Sequence, residues 1–292
     1  MKPLLLVLWL ITAGLFNQVI SQQRLFSEEI NFATYLIENA QFRDAIIVLE
    51  NIDQSLFNSS LEKTDSVNFY KGWSYYNIKI LDSSSFYLGM VNLESPFYIK
   101  SKFYESFNFI YSGNTGKGKS IIQNLTLGEQ VNYEQLKMFD LAGIALLERN
   151  YASFDSVSIL FNYSYFPIVT EQKNFLKYST DLKSIKRKSP LLAGLMSSVI
   201  PGSGKYYAGY RGQAIAAFIP VVTLAGVATE NYFRGGPQSI QFIAFASLFS
   251  LFYVGNIWGS VLSVKIKRNE LYRKIDHEIL LDLHLPLRRI FN

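Results

Sequence analysis

The strongest constraint on the fold is a long stretch of chain that carries almost no charge. Residues 190–264 contain only four charged side chains, Lys205, Arg211, Glu230 and Arg234. Inside this stretch, Gln213–Thr229 and Ile240–Val264 are uncharged and approach the ~20 residues that a helix needs to cross a bilayer. Glycines and a proline between them prevent one continuous helix. The sequence therefore predicts a membrane domain with two full spans.

The first residues have the layout of a secretory signal peptide. Lys2 precedes an apolar core that starts at Leu4, and the small residue Ser21 occupies a suitable cleavage position. We predict a signal peptide over residues 1–21, and an uncleaved signal anchor is the alternative. In both cases the chain that follows is expected to leave the cytoplasm.

The lack of cysteine and the distribution of charge exclude or disfavour several functions. The chain has no cysteine, so it can form no disulfide and offers no thiolate as nucleophile or metal ligand. The formal net charge is +5, and cations concentrate in residues 183–188 and 265–274, on either side of the apolar stretch. In an envelope protein this pattern favours anchoring at a lipid bilayer over nucleic-acid binding. We therefore predict no nucleic-acid partner.

Residues 31–52 show the spacing of two interlocking helices joined by a tight turn. Small side chains at Ala33 and Ala45 allow the two backbones to approach. Larger side chains fill the space between the helices, at Leu36, Phe42 and Leu49.

The same spacing returns further along the chain. In residues 66–88 it falls on Gly72, Tyr75, Leu81, Ser84 and Leu88. A looser copy covers residues 136–161, with Ala142, Gly143 and Tyr151. These segments resemble the tetratricopeptide repeat, and the resemblance implies a domain of stacked helical pairs over residues 22–182.

Residues 113–120 read GNTGKGKS and satisfy the G-x-x-x-x-G-K-[ST] pattern of a phosphate-binding loop. The repeat spacing offers another interpretation, because advancing about 34 residues from Gly72 brings Ser106 to the first small position. A phosphate loop needs a preceding strand, for which residues 107–111 are the candidate, and a surrounding parallel sheet. Since the neighbouring segments show helical pairs, we predict a repeat turn with Lys119 on a solvated face.

The most specific string lies at the start of the membrane domain. After the short apolar segment Leu191–Ile200 the chain spells P-G-x-G-x-x-Y-x-G, with Pro201, Gly202, Gly204, Tyr207 and Gly209. Glycine loses more conformational entropy than any other residue when it is ordered, so this density of glycine indicates a fixed backbone geometry. We predict that the short segment folds back on the hairpin, and that Gly204→Val and Gly209→Val destabilise the domain. A flexible interfacial loop is the alternative.

This string and the spans after it resemble a family of small bacterial membrane domains, mostly of unknown function, in which a glycine-rich turn precedes a two-helix hairpin. More distantly, they resemble the two-transmembrane-helix domain with a glycine-aromatic turn. The resemblance covers about residues 186–264. It implies a helical membrane fold and a location, and it brings no catalytic residue.

The chain shows no catalytic constellation. Its two histidines, His277 and His284, lie in a C-terminal stretch whose apolar residues alternate as in a strand or an interfacial segment, at Ile279, Leu281, Leu283 and Leu285. With Asp276 and Asp282 the histidines could form a metal site, but a third nitrogen or sulfur ligand is missing. We predict no enzyme activity, no metal and no cofactor.

The sequence thus predicts an all-α protein with four regions, namely a signal peptide over 1–21, a repeat domain over 22–182, a membrane hairpin domain over 183–264 and a basic tail over 265–292. We expect an inner-membrane protein of a bacterial envelope whose repeats bind a protein or peptide partner outside the cytoplasm. Transport or membrane insertion through the glycine-broken hairpin is the alternative function. Charge counting favours three crossings, a short broken one and two full ones, with the tail in the cytoplasm, and two crossings are the alternative.

Overall fold

The computed structural model describes residues 25–52, 60–127, 131–185 and 187–291, and its regular secondary structure there is entirely helical. The prediction of an all-α fold is confirmed over these residues, and the predicted signal peptide over 1–21 lies outside them. In chain order the helices are α1 (25–38), α2 (Phe42–Asn51), α3 (Leu61–Asn77), α4 (Leu81–Gly89), α5 (Tyr98–Tyr111), α6 (Thr115–Gln123), α7 (Val131–Leu147), α8 (Tyr151–Ser158), α9 (Val169–Ser184), α10 (Pro190–Val199), α11 (Ser203–Ala208), α12 (Arg211–Gly235) and α13 (Ile240–Phe291).

The helices divide between two compact units. The first unit contains the described residues up to Lys177 together with residues 279–291, and the second contains Tyr178–Glu278. Helices α9 and α13 each contribute residues to both units. The basic tail over 265–292 is therefore divided between the units.

In the first unit, four pairs of helices share one turn geometry. The pairs are α1–α2, α3–α4, α5–α6 and α7–α8. Each turn holds one residue at positive φ, two positions before the second helix begins, at Ala40, Lys79, Gly113 and Arg149. In every pair the amide of the following residue donates to the carbonyl five residues earlier, which satisfies the end of the first helix. The four pairs form a structural repeat, and their relation to the tetratricopeptide repeat stays a prediction.

Small residues recur at fixed positions relative to these turns. Seven residues before the turn residue the chain has Ala33, Gly72, Ser106 and Ala142, all buried. Five residues after it the first three pairs have Ala45, Ser84 and Gly118, and the fourth has Phe154. A Cβ at Gly72 would lie 2.7 Å from Leu88 Cγ, and one at Gly118 would lie 2.6 Å from Ile110 Cγ1. The paired helices therefore approach more closely than larger side chains at these positions would allow.

The remaining predicted packing residues of the repeats also lie at helix contacts. Leu36 and Leu49 are buried, and Phe42 is partly buried. Tyr75 is partly buried, and its Oη donates a hydrogen bond of 2.7 Å to Glu50 Oε1. Because Glu50 belongs to α2 and Tyr75 to α3, this bond joins the first pair to the second.

The nucleotide-like string over 113–120 is the third of the four turns. Residues 107–111 lie inside α5, so the strand that a phosphate loop requires does not precede it. Gly113 occupies a position that three different residues fill in the other turns, so this geometry does not depend on glycine. The Asn114 side chain accepts a hydrogen bond from Lys117 N and caps the following helix. The string thus forms the turn between α5 and α6 and the first residues of α6.

We expect Lys119→Ala to leave the chain folded and to change no nucleotide affinity. Lys119 Nζ lies 3.0 Å from Glu148 Oε2 in a partly exposed ion pair, and such pairs contribute less than about 1 kcal/mol. Thermal unfolding of the variant and a Mg-ATP titration of the full chain measure both effects. Micromolar Mg-ATP binding that disappears in the variant would restore the nucleotide interpretation.

The second unit contains the apolar helices. Helices α12 and α13 are long and apolar enough to cross a membrane, and only 17% and 6% of their most apolar windows are buried. Phe233, Ile240 and Leu251 are among the large side chains that lie on the surface of these helices. An exposed apolar surface of this extent is typical of helices that lie in a nonpolar environment. The second unit therefore has the properties of a membrane-associated domain.

Candidate functional site

The C-terminal segment, residues 279–291 of α13, packs onto α3, α5 and α7, which are the first helices of three repeat pairs, and onto α9. Its residues Ile279, Leu283 and Leu287 are at most 1% exposed. Their spacing of four places them on one face of the helix. Leu283 lies directly on the backbone of α7, because a Cβ at Gly143 would be 2.6 Å from Leu283 Cδ2.

Polar and aromatic contacts hold the segment on α3 and α5. His284 Nε2 and Tyr76 Oη share a hydrogen bond of 2.5 Å. Phe107 stacks on the His284 ring, with 5.0 Å between the ring centroids. Near the end of the segment, the Phe291 carbonyl accepts a hydrogen bond of 2.9 Å from Lys100 Nζ. The segment is thus fixed at several points along its length.

Helix α9 contributes two further contacts. Asn174 Nδ2 donates a hydrogen bond of 3.0 Å to Asp282 Oδ2. Arg289 forms an ion pair of 3.0 Å with Glu171, whose side chain is only 4% exposed. We call the surface of α3, α5, α7 and α9 that contacts the C-terminal segment the receiving face.

The rings at this contact are uncharged at neutral pH. Burial lowers the pKa of His284 to about 4, and the nearby cations Lys79 and Arg288 act in the same direction. Burial also raises the pKa of the Tyr76 and Tyr104 hydroxyls. His284 is therefore a neutral hydrogen-bonding ring at pH 7.

We expect the C-terminal segment to bind less tightly as the pH falls from about 6.5 to about 4. An undocked histidine titrates near 6.5 and the docked His284 near 4, so the undocked state binds more protons between these values. The contribution of His284 to the free energy of docking is complete above pH 6.5. It is lost as the pH falls from 6.5 to about 4, and it changes no further below pH 4. The protection factors of the residue 279–291 amides against hydrogen exchange, at pH 7 and pH 4.5, measure how tightly the segment is docked. His284→Gln, which cannot titrate there, should lose this dependence, and an unchanged pH dependence in that variant would contradict the assignment.

The first helices and α9 also carry buried polar atoms that have no hydrogen-bond partner among the described residues. These atoms belong to six side chains, Ser74, Ser101, Tyr104, Asn108, Asp140 and Gln172. Burial raises the pKa of the Asp140 carboxyl well above its ordinary value. Leaving a buried polar group unpaired costs about 1–3 kcal/mol. These helices therefore hold hydrogen-bonding capacity that the described part of the chain does not use.

A strand at the C-terminal stretch is excluded, because the segment is helical. The helix buries Ile279 and Leu283, whereas Leu281 and Leu285 remain 48% and 39% exposed. In a short run, residues that are four positions apart also belong to an alternating pattern, so the sequence fits both a helix and a strand. Contact with the receiving face determines that the segment is helical. The possible metal site with His277 is not formed, since the described residues contain no group of three or more His, Asp or Glu that could hold a metal ion.

The position of this segment bears on the expected three crossings. Residues 279–291 and the repeat helices belong to one compact unit. A chain that keeps both on one side of a bilayer crosses it an even number of times, which fits the alternative of two crossings, and α12 and α13 are the two described helices that are long and apolar enough to cross. The number of crossings stays a prediction.

The predicted glycine turn joins α10 to α11 and is tightly packed. Gly202 has a φ of +81°, and a Cβ there would lie 2.3 Å from the carbonyl oxygen of Ala214. A Cβ at Gly204 would lie 2.0 Å from the carbonyl oxygen of Ala193. Gly209 has a φ of +105° and open space around it. Glycine is thus required for its missing side chain at Gly204, for its conformation at Gly209 and for both at Gly202.

Pro201 and Tyr207 complete the predicted motif. Pro201 follows α10 and is partly buried. Tyr207 Oη accepts a hydrogen bond of 3.3 Å from Ser189 N, at the start of α10. Helix α10 packs on α13, where a Cβ at Gly194 would lie 2.9 Å from Val261 Cγ2. The short apolar segment therefore folds back on the hairpin, and Tyr207 lies across its start.

A buried hydrogen-bond network behind the turn was not predicted. Asn256 Oδ1 accepts from Gly202 N at 3.0 Å, and Ser197 Oγ accepts from Gly204 N at 2.9 Å. The hydroxyls of Ser197 and Ser260 share a further hydrogen bond of 2.7 Å. The signal that indicates this network is the presence of two polar residues four positions apart, Asn256 and Ser260, within the uncharged span of α13.

Over the residues that it describes, the structure is all-helical and combines a unit of four turn-related helix pairs with a unit that contains two apolar helices long enough to cross a membrane. Comparison of the chain with protein-family models, with curated proteins and with solved structures gives no significant match.

Proposed function

We propose that this chain is a non-enzymatic, membrane-anchored interaction protein whose receiving face binds an amphipathic helix. The observation that carries the proposal is that the receiving face already holds such a helix, the C-terminal segment. In this function the segment is the resident occupant, and a protein or peptide partner of the same chemistry competes with it. The repeats provide the binding surface, and the apolar helices keep it at the bilayer.

The contacts of the segment specify the chemistry of the partner. It presents a large apolar side chain to Gly143, a neutral hydrogen-bonding group to Tyr76 and a cation to Glu171. In the resident segment these groups are Leu283, His284 and Arg289, at positions i, i+1 and i+6 of a helix. Recognition of an amphipathic helix by an apolar surface with a few polar anchors is a common mode of peptide binding.

The unpaired polar atoms support exchange of the occupant. The Tyr104 hydroxyl has no partner among the described residues, and its ring centroid lies 6.3 Å from that of Phe291. A partner that donates to or accepts from such a group gains a hydrogen bond that the resident segment does not make. Each such bond contributes about 0.5–1.5 kcal/mol, or roughly a factor of 2 to 10 in affinity.

A disulfide lock tests the proposal in the full chain. The chain lacks cysteine, so a pair introduced as Gly143→Cys and Leu283→Cys can react only with itself. Leu283 Cγ lies 3.0 Å from the position of a Cβ at Gly143, which is close enough for a disulfide. A fluorescent peptide of residues 276–292 serves as the competing helix. We expect it to bind the reduced double variant and to bind the oxidised one at least about tenfold more weakly.

The unmodified chain under the same oxidant is the matched control, and its peptide affinity should not change. Leu283→Ala, which weakens the resident segment, should raise peptide affinity above that of the unmodified chain. Equal binding to the oxidised and reduced double variant would show that the peptide binds elsewhere. Equal affinity in Leu283→Ala and the unmodified chain would show that the segment is a fixed structural element, and either result would overturn the proposal.

We propose a location in the inner membrane of a bacterial envelope, with the repeats and the C-terminal segment outside the cytoplasm. The predicted signal peptide supports export. The cations of residues 183–188 and 265–274 then lie on the outer side, against the usual bias, which long translocated domains override.

Two reporter fusions test the orientation. A reporter active only in the cytoplasm should be inactive after Asn292 and active when inserted after Gly236, between α12 and α13. The reverse pattern would place the repeats in the cytoplasm. Activity at both positions would contradict a paired hairpin.

A further inference from the structure

Lys205, on α11, extends along the apolar part of α13. Its end lies beside Gly259, where a Cβ would be 3.3 Å from Lys205 Cε and 3.6 Å from Nζ. Gly259 precedes Lys265, the first cation after the apolar stretch. At ~1.5 Å per residue, the ammonium lies about 9 Å inside that stretch along the helix axis.

No carboxylate among the described residues pairs with Lys205. The acidic residues closest to the hairpin ends already have partners, since Glu230 pairs with Arg234 and Glu270 with Lys267. An ammonium without a counter-charge is costly in an apolar layer, and such residues mark functional sites in membrane proteins. A negative charge from outside the chain would compensate it.

Lys205 also lines a cavity of about 550 Å³ between α12 and α13. Its polar lining comes from Lys205, Gln213 and Asn256, close to where α12 begins. Further along the two helices the walls are apolar, with Ala217 and Val221 on α12 and Leu251 and Phe252 on α13. The volume lies within the ~300–1,000 Å³ of small-molecule pockets. The cavity therefore has one charged polar end and one apolar end.

We propose that this cavity binds an anionic membrane lipid, with its phosphate at Lys205 and an acyl chain along the apolar walls. Three observations support this occupant over others. The ammonium has no counter-charge in the described chain, the cavity is amphiphilic along its length, and Leu251 and Phe252 are 71% and 50% exposed on the surface that faces the proposed bilayer. A free inorganic anion would compensate the charge but would leave the apolar walls unused. The lipid site is independent of the receiving face.

A lipid titration of the purified full chain in neutral detergent, followed by native mass spectrometry, tests the site. The probes are phosphatidylglycerol and phosphatidylcholine with identical acyl chains, and inorganic phosphate. We expect phosphatidylglycerol to bind at least about tenfold more tightly than phosphatidylcholine. Lys205→Gln should remove this preference, whereas Lys265→Gln, outside the cavity, should retain it.

A second variant tests the apolar half of the cavity. Ala217→Phe fills the space proposed for the acyl chain while it leaves Lys205 in place, and it should also lower phosphatidylglycerol affinity about tenfold. Both cavity variants should unfold at the temperature of the unmodified chain in phosphatidylcholine, which separates loss of the site from loss of the fold. Unchanged phosphatidylglycerol preference in Lys205→Gln would overturn the proposal. Displacement of the lipid by an equal concentration of inorganic phosphate would also overturn it.

Discussion

Gly204→Ala is expected to destabilise the second unit by about 3 kcal/mol or more, the upper end of what overpacking produces. The new Cβ would lie 2.0 Å from the carbonyl oxygen of Ala193 and 2.7 Å from Ser197 Oγ. Because the first of these atoms is backbone, α10 and α11 must separate to make room. That movement would also break the hydrogen bond from Gly204 N to Ser197 Oγ. Membrane abundance and protease resistance of the variant measure the loss.

Substitutions at two other glycines of the same region distinguish the cost of close packing from the cost of backbone strain. Gly209→Ala meets no atom within 4 Å but must hold a φ of +105°, so we expect a smaller loss of about 1–3 kcal/mol. Gly212→Ala meets no atom within 4 Å, and Gly212 lies in α12 without a positive φ, so it should be neutral or stabilising by about 0.5–1 kcal/mol. Wild-type behaviour of Gly204→Ala would mean that the turn is not a packed structure.

Leu283→Ala is expected to destabilise the first unit by about 2–5 kcal/mol, the usual cost of truncating a fully buried leucine. The side chain is 1% exposed and lies on the bare backbone of Gly143. Its loss leaves a cavity against α7. Hydrogen exchange of the α7 amides in the full chain measures the effect, which should appear as faster exchange.

Leu281→Ala is the matched control, because it removes the same atoms two residues away from a side chain that is 48% exposed. We expect a change within about 0.5 kcal/mol. Equal effects of the two substitutions would mean that the C-terminal segment does not rest on α7. An effect of Leu283→Ala alone supports the docked position.

Local features of the fold could be predicted from the sequence because short-range patterns determine them. The spacing of Ala33 and Ala45 predicts a close helix pair, and the cluster that includes Gly204 predicts a fixed turn. In both cases the residues that touch lie within about a dozen positions of one another. The interpretation of GNTGKGKS as a turn came from the same spacing.

The site depends on contacts that no local pattern reveals. Tyr76 and His284 share a hydrogen bond although 208 positions separate them. The apolar residues of the C-terminal segment fit a strand as well as a helix until the receiving face is known. Lys205 belongs to a short helix outside the spans, so its sequence position does not reveal that its ammonium lies beside Gly259 in the span of α13.

The first unit is assembled from two stretches of chain that about 100 residues of the second unit separate. A ribosome that adds roughly 5–20 residues per second therefore releases the repeat helices about 5–20 s before the helix that covers them. During that interval the aromatic side chains of α3 and α5 are open to any helix nearby. In the proposed function, a partner would have its earliest access during this interval, before the C-terminal segment is made.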